Sequence, residues 1–190
     1  MPNGIIIFGG TGVGDTTLGK QLAEQLNWPH FDIDDYHWRW NTKIPYTIFR
    51  SAEDRTEHLM HDLIKHERFV MSGSMWSIRK AFEHFFSLAI FMTAPFEIRA
   101  ERLQSRDLAR WGDRVLPGGD MFEANGGHKD YFAVARLYDT DKSMQASSIM
   151  QHEQWINELP CPVLRVDGTK NVDVNVKLVM GNLSAYFCPQ

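Results

Sequence analysis

Gly4-Ile5-Ile6-Ile7-Phe8-Gly9-Gly10-Thr11-Gly12-Val13-Gly14-Asp15-Thr16-Thr17-Leu18-Gly19-Lys20 is the stretch whose reading decides the fold. A short apolar, β-branched run enters a glycine-rich turn, and the turn opens a helix. Gly9 and Gly14 stand at the spacing of G-x-x-x-x-G-K-[ST], the loop whose backbone N–H groups converge on phosphate oxygens at a helix N-terminus. One position departs from that pattern, because Asp15 stands where the lysine belongs.

The remaining segments repeat the alternation of apolar strand and helix. Residues 5–8, 30–33, 69–71, 88–92 and 163–166 read as five buried strands, short continuous apolar runs rather than alternating ones. Helices are expected over 16–28, ended by Pro29, and over about 52–66, behind the capping box that starts at Ser51. Leu59, Met60, Leu63 and Ile64 form the inward face of the second. Another begins at Pro95 and carries Arg99, Arg102 and Arg106, with Arg110 and Arg114 beyond. Further helices are expected over 130–138, 142–159 and 172–183, with a frayed tail from Ala185. Gly19 should let the first helix approach the sheet closely.

Strands separated by helices imply a parallel sheet covered on both faces. Ligands of such sheets lie beyond the carboxyl ends of the strands. Here those ends carry the glycine-rich loop, Asp34-Asp35, Ser72-Gly73-Ser74 and Asp167-Gly168-Thr169, so four segments point at one cleft.

Composition restricts the function classes. The chain has 190 residues, 43% of them hydrophobic, which suits one globular domain over 1–190. A net charge of −4 leaves no general nucleic-acid-binding face. Cys161 and Cys188 lie outside metal-ligand spacing and suit a reducing, cytoplasmic compartment. No apolar run reaches the roughly 18 residues of a membrane span, and the N-terminus lacks the pattern of a signal peptide. The oligomeric state is left open.

The ordered set resembles the P-loop small-molecule kinases, the family of adenylate, shikimate and gluconate kinases. The resemblance runs from about Gly4 to Thr169 and rests on residues 9–17, Leu18-Gly19-Lys20-Gln21-Leu22-Ala23, residues 32–35, Glu101-Arg102-Leu103-Gln104-Ser105-Arg106 and Asp167-Gly168-Thr169. It implies a three-layer α/β sandwich with a five-stranded parallel sheet in order 2-3-1-4-5, an acceptor-binding insert over about 36–66 and a lid over about 107–129. It also implies ATP and Mg²⁺. Gly9, Gly10, Thr11, Gly12, Val13, Gly14, Asp15, Thr16 and Thr17 would wrap the phosphates, with Arg102 and Gly168 at the base. Thr16 and Asp34 would face Mg²⁺. Asp34 would also accept the proton of the acceptor hydroxyl, with Asp32 and Asp35 behind it. Arg106 and Arg110 would neutralise the transferred charge, with Arg114 and Arg136 as further candidates. Arg99 reads as a solvated helix-face residue.

Gly118-Gly119 and Gly126-Gly127 fit hinges of the lid. Trp38, Trp40, Tyr46 and Phe49 lie where relatives bind the acceptor and could stack a ring or simply fill the core. Arg50, Arg55 and Arg79 could bind an acid there. Ser72-Gly73-Ser74 departs from the Asp-Gly-Phe-Pro-Arg loop of adenylate kinases, which argues against a nucleoside monophosphate acceptor. His58 and His61 read as surface residues.

Asp15 sets the main functional question. Losing the lysine's charged hydrogen bond costs about 1.5–3 kcal/mol, and a carboxylate beside phosphate adds repulsion. Impaired phosphoryl transfer, a non-catalytic nucleotide-binding protein and a ligand suited to Asp15 all stay open. A different class, an NAD(P)-binding reductase, shares the opening Gly9-Gly10-Thr11-Gly12. Its G-x-G-x-x-G fingerprint fails at Asp15, and it has no use for the arginine-rich lid.

Overall fold

The computed structural model describes residues 3–124, 128–140 and 147–186. Five parallel strands, β1 (Asn3–Gly9), β2 (His30–Asp32), β3 (Arg68–Ser72), β4 (Phe86–Thr93) and β5 (Val163–Asp167), form one sheet in the order β2-β3-β1-β4-β5. This is the expected order, and it differs from the 3-2-1-4-5 order of dinucleotide-binding folds, which removes the support for the reductase alternative.

β1 is central because it is apolar on both faces. Ile5 pairs in register with Val70 of β3 and Leu88 of β4. Successive side chains leave opposite faces of a strand, so the single run Ile5-Ile6-Ile7-Phe8 feeds two cores. Ile5 and Ile7 pack with Leu18 and Leu22 of α1 (Asp15–Leu26) and Val176 and Val179 of α8 (Val172–Asn182). Ile6 and Phe8 pack on the other side, with Leu59 and Leu63 of α3 (Ala52–Leu63) and Trp155 of α7 (Ile149–Glu158). Gly19 behaves as expected: a Cβ there would lie 2.8 Å from His30 Nε2 and 3.2 Å from the Ser72 side chain.

Several boundaries differ from the sequence reading, each for a local reason. β2 stops at Asp32, whose carboxylate accepts the Asp34 N–H and caps α2 (Ile33–His37). Asp34 therefore sits in a helical first turn and does not end the strand. α3 ends at Leu63, and Ile64, expected inward, is 60% exposed. Ser148 accepts the Gln151 N–H, so α7 starts at Ile149 rather than at 142; residues 142–146 lie outside the described residues, as do Gly126 and Gly127. α4 (Phe96–Trp111) is followed by a 3₁₀ turn (Gly112–Val115), α5 (Asp120–Glu123) and α6 (His128–Leu137). A last 3₁₀ turn spans Leu183–Ala185; the tail expected to fray from Ala185 lies, beyond residue 186, outside the described residues. Among the described residues no helix is long and apolar enough to cross a membrane.

Candidate nucleotide and acceptor site

The loop between β1 and α1 is closed around its own backbone. Gly12 and Gly14 have φ of +86° and +102°, a region in which side-chain-bearing residues are strained. A Cβ on Gly9 would lie 2.3 Å from the Met92 carbonyl oxygen, and one on Gly10 would strike the Tyr138 ring at 2.8 Å. Val13 N–H bonds the Gly10 carbonyl at 2.9 Å, and Leu18 N–H bonds the Gly14 carbonyl at 2.9 Å. The first turn of α1 brings its N–H groups to the end of this loop, as in an anion cradle, and the Asp15 carboxylate accepts from the Asp15 and Thr16 N–H groups there.

Carboxylates stand where the cradle needs positive charge. Thr16 Oγ1 donates to Asp32 Oδ2 at 3.1 Å, joining the helix start to the end of β2. Asp15 is half-buried, and burial first, then the charge of Asp32, pushes its carboxyl from 3.8 up to about 7; the Thr16 N–H works against this rise. Asp34 is exposed in the first turn of α2, with Asp32 and Arg106 near enough to act on its charge. Burial and Asp32 raise its carboxyl, while Arg106 and a hydrogen bond from Trp38 hold it down. Asp35 is raised for the same two leading reasons. Lys20 is exposed and sits more than a helical turn along α1, so it does not replace the missing lysine.

Thr16, Asp32 and Asp34 supply hard oxygen donors of the kind Mg²⁺ takes when waters and phosphate complete its shell. Among the described residues no group of three or more His, Cys, Asp or Glu is arranged to hold a metal alone.

Two arginines of α4 brace the cradle. Arg102 Nη1 donates to the Val13 carbonyl at 3.0 Å and the Gly168 carbonyl at 2.8 Å, tying the first βα loop to the last. Beside it lies a cavity of about 270 Å³ lined by Val13, Gly14, Thr17, Arg102, Gly168 to Asn171 and Asn175. Arg99, expected on a solvated face, is 1% exposed. It bonds the Ala94 carbonyl at 3.1 Å, the Thr11 carbonyl at 3.2 Å and the Asp139 carboxylate at 2.5 Å. Its spacing of three from Arg102 places both on the side of α4 that meets the loop.

A buried relay lies behind Gly10. The Tyr138 hydroxyl and His152 Nδ1 are 2.7 Å apart, and His152 Nε2 and Ser74 Oγ 3.0 Å apart. Burial lowers His152 to about 4, so it is neutral. No motif in the sequence singles out His152 or Tyr138.

Across the cleft, residues 38–50 form a strap closed by an antiparallel bridge between Trp38 and Phe49, whose rings stack at 3.9 Å. Arg110 Nη1 donates to the Tyr46 hydroxyl at 2.9 Å, and Arg114 pairs with Asp120 and reaches the Lys43 carbonyl at 3.3 Å. Arg106 bonds Asp107 at 2.8 Å. Arg136 stands over the Phe96 ring at 5.2 Å, away from these contacts. Arg79 lies against Trp76 and pairs with Glu158, and Arg50 pairs with Asp54. His58 and His61 are exposed, as expected. Gly118 has φ of +89° with open space around it; Gly119, the other expected hinge residue here, is wedged against the carbonyls of Asp113 and Arg114.

Sheet order, glycine cradle and arginine-bearing α4 together define a small-molecule kinase fold of the P-loop class. The family model "Shikimate kinase" matches residues 11–116, and the chain belongs to that family. The uncharacterized protein YqaC of Bacillus subtilis (strain 168) is 34% identical over 185 residues, covering 97% of this chain and 99% of that one. A shikimate kinase from Acinetobacter baumannii solved with shikimate superposes with TM-score 0.55 at 15% identity, covering 97% and 95% of the two chains. A gluconokinase from Sinorhizobium meliloti 1021 gives 0.53 at 14%, covering 97% and 93%. These two likenesses speak to the fold.

Proposed function

We propose that the chain binds ATP with Mg²⁺ and transfers the γ-phosphoryl to a small hydroxyl- or phosphate-bearing acceptor. The observation that carries this is the cradle itself: Gly9, Gly10 and Gly12 with no room for a Cβ, Gly14 at a left-handed φ, a helix start behind them, and Thr16 joined to Asp32. The backbone from Gly9 to Thr16 holds the α- and β-phosphates, and the base occupies the cavity between Arg102 and Gly168. Thr16 and Asp34, with Asp32 beside them, face Mg²⁺ and its waters. Asp34 accepts the acceptor's proton; its raised carboxyl suits a general base near neutrality. Arg106 and Arg110 offset the charge on the transferred group. The acceptor lies between α2, the strap and the lid, which makes 36–66 and 107–129 the insert and lid of a single domain. A cytoplasmic location fits this reading.

A second reading, a nucleotide-binding protein without turnover, is favoured by the half-buried Asp15 carboxyl inside the cradle. Calorimetry of Mg-ATP on the chain and on Asp15→Lys, with hydrolysis followed in the same samples, separates the two. Turnover by the chain itself supports the kinase reading. Binding without turnover, restored by Asp15→Lys, supports the second. Absence of binding in both chains sinks both readings.

A further inference from the structure

Tyr46 has φ of +61°, a conformation that costs energy in a bulky aromatic residue. Such strain persists only where the surroundings hold it. Here the holders are on two separate parts of the chain. Its ring stands edge-on to Trp38 at 5.7 Å and Trp40 at 5.0 Å within the strap. Trp111, at the end of α4, meets the same ring edge-on at 6.5 Å. Its hydroxyl takes the hydrogen bond of Arg110 from the lid side, at 2.9 Å. The Arg110 guanidinium also lies 6.0 Å from the Trp40 ring and 5.0 Å from that of Trp111. A second tie, Arg114 to the Lys43 carbonyl, runs parallel to the first. Asp34, Arg106 and Asp107 are close enough to act on the Tyr46 hydroxyl electrostatically, so it faces the cleft.

We propose that Tyr46 is a positioning residue, latching Arg110 over the cleft so that the strap and the lid edge move as one unit. The part of this that concerns an acceptor rests on the kinase reading: an acceptor seated against the strap brings Arg110 with it, and a lid that opens withdraws the strap. Tyr46 touches no reacting atom in this scheme; it acts through Arg110.

The test is hydrogen exchange of the full, ligand-free chain, read by mass spectrometry. Compared are the parent chain, Tyr46→Phe, Arg110→Gln, Arg110→Lys and the double variant Tyr46→Phe/Arg110→Gln. Tyr46→Phe keeps the ring and removes only the hydroxyl. Lid peptides over 110–116 should then exchange about threefold to tenfold faster, the factor that one lost hydrogen bond represents. Arg110→Gln should loosen the strap over 38–50 in return. The double variant should be no faster than Arg110→Gln alone, because that variant has already removed the bond that Tyr46→Phe removes. Arg110→Lys keeps a donor and should restore most of the protection. Exchange in β1 and β4 and the melting temperature should stay constant. Unchanged lid exchange in Tyr46→Phe overturns the proposal, and so do additive effects in the double variant. Nucleotide binding, measured separately by calorimetry on the same chains, reports on the kinase reading; its failure leaves the exchange result standing, and the reverse holds too.

Discussion

Replacing Asp15 with Asn should stabilise the chain, and the gain should grow with pH. The carboxyl titrates at about 7 in the fold against 3.8 in an open peptide, raised first by burial and then by Asp32. A raised carboxyl means that the native state holds a proton the unfolded chain has released. Its favourable contribution is complete below about 4 and is lost as pH climbs through 7. At about 1.4 kcal/mol for each tenfold, the distance from 3.8 to about 7 sets a ceiling of about 4 kcal/mol on the cost of ionised Asp15 at pH 8. The side chain is partly open to water and coupled to Asp32, so about half of that is expected, roughly 2 kcal/mol. Asn keeps an oxygen for the Thr16 N–H and discards the charge. Urea melts of both chains at pH 5, 6, 7 and 8, with equal m-values, measure the difference. A variant no more stable than the parent at pH 8, or an advantage that widens towards pH 5, refutes the reasoning.

Asp15→Lys should bind Mg-ATP at least about tenfold more tightly than the parent in calorimetry, since it removes a repulsion and adds a charged hydrogen bond. Arg99→Met should cost about 3 kcal/mol in urea unfolding, because the Thr11 carbonyl and the Asp139 carboxylate lose a buried partner. His152, lowered from 6.5 to about 4 by burial, must take up a proton on acid unfolding; the parent should lose up to about 3 kcal/mol between those values, relative to His152→Gln. Melts of the two chains at pH 7 and pH 4.5 test it, and parallel curves contradict it. Arg102→Ala should weaken Mg-ATP binding without unfolding the sheet, since it opens the cavity wall between Val13 and Gly168; unchanged affinity in calorimetry tells against a base in that cavity.

The sheet was legible because its signal is one-dimensional. A continuous apolar run means a strand buried on both faces, and five such runs separated by helices leave few topologies. The convergence of loops on one cleft followed from that topology alone. What was not legible depends on side chains that meet across distance. Arg99 looks like any arginine on a charged helix until Thr11, Ala135 and Asp139 are brought around it. Asp32 and Asp34 are equivalent on an ideal strand. The N-cap that ends β2 at Asp32, and gives Asp32 rather than Asp34 to the Thr16 hydroxyl, is a competition between helix capping and strand pairing. Tyr46 carries no sequence mark of its backbone strain, and His152 has partners 14 and 78 positions away.

The central place of β1 has a consequence for how the chain is made. Ile5 finds its partners only at Val70 and Leu88. At a synthesis rate of about 5–20 residues per second, the strand leaves the ribosome on the order of ten seconds before β4 exists. During that time Ile5-Ile6-Ile7-Phe8, which has no charge or proline within it, is an apolar β-prone segment that lacks one or both of its neighbouring strands. Newly made chains are therefore open to association with one another through Ile5-Ile6-Ile7-Phe8 until the sheet closes, and a holdase chaperone that shields apolar strands should raise the yield of native protein.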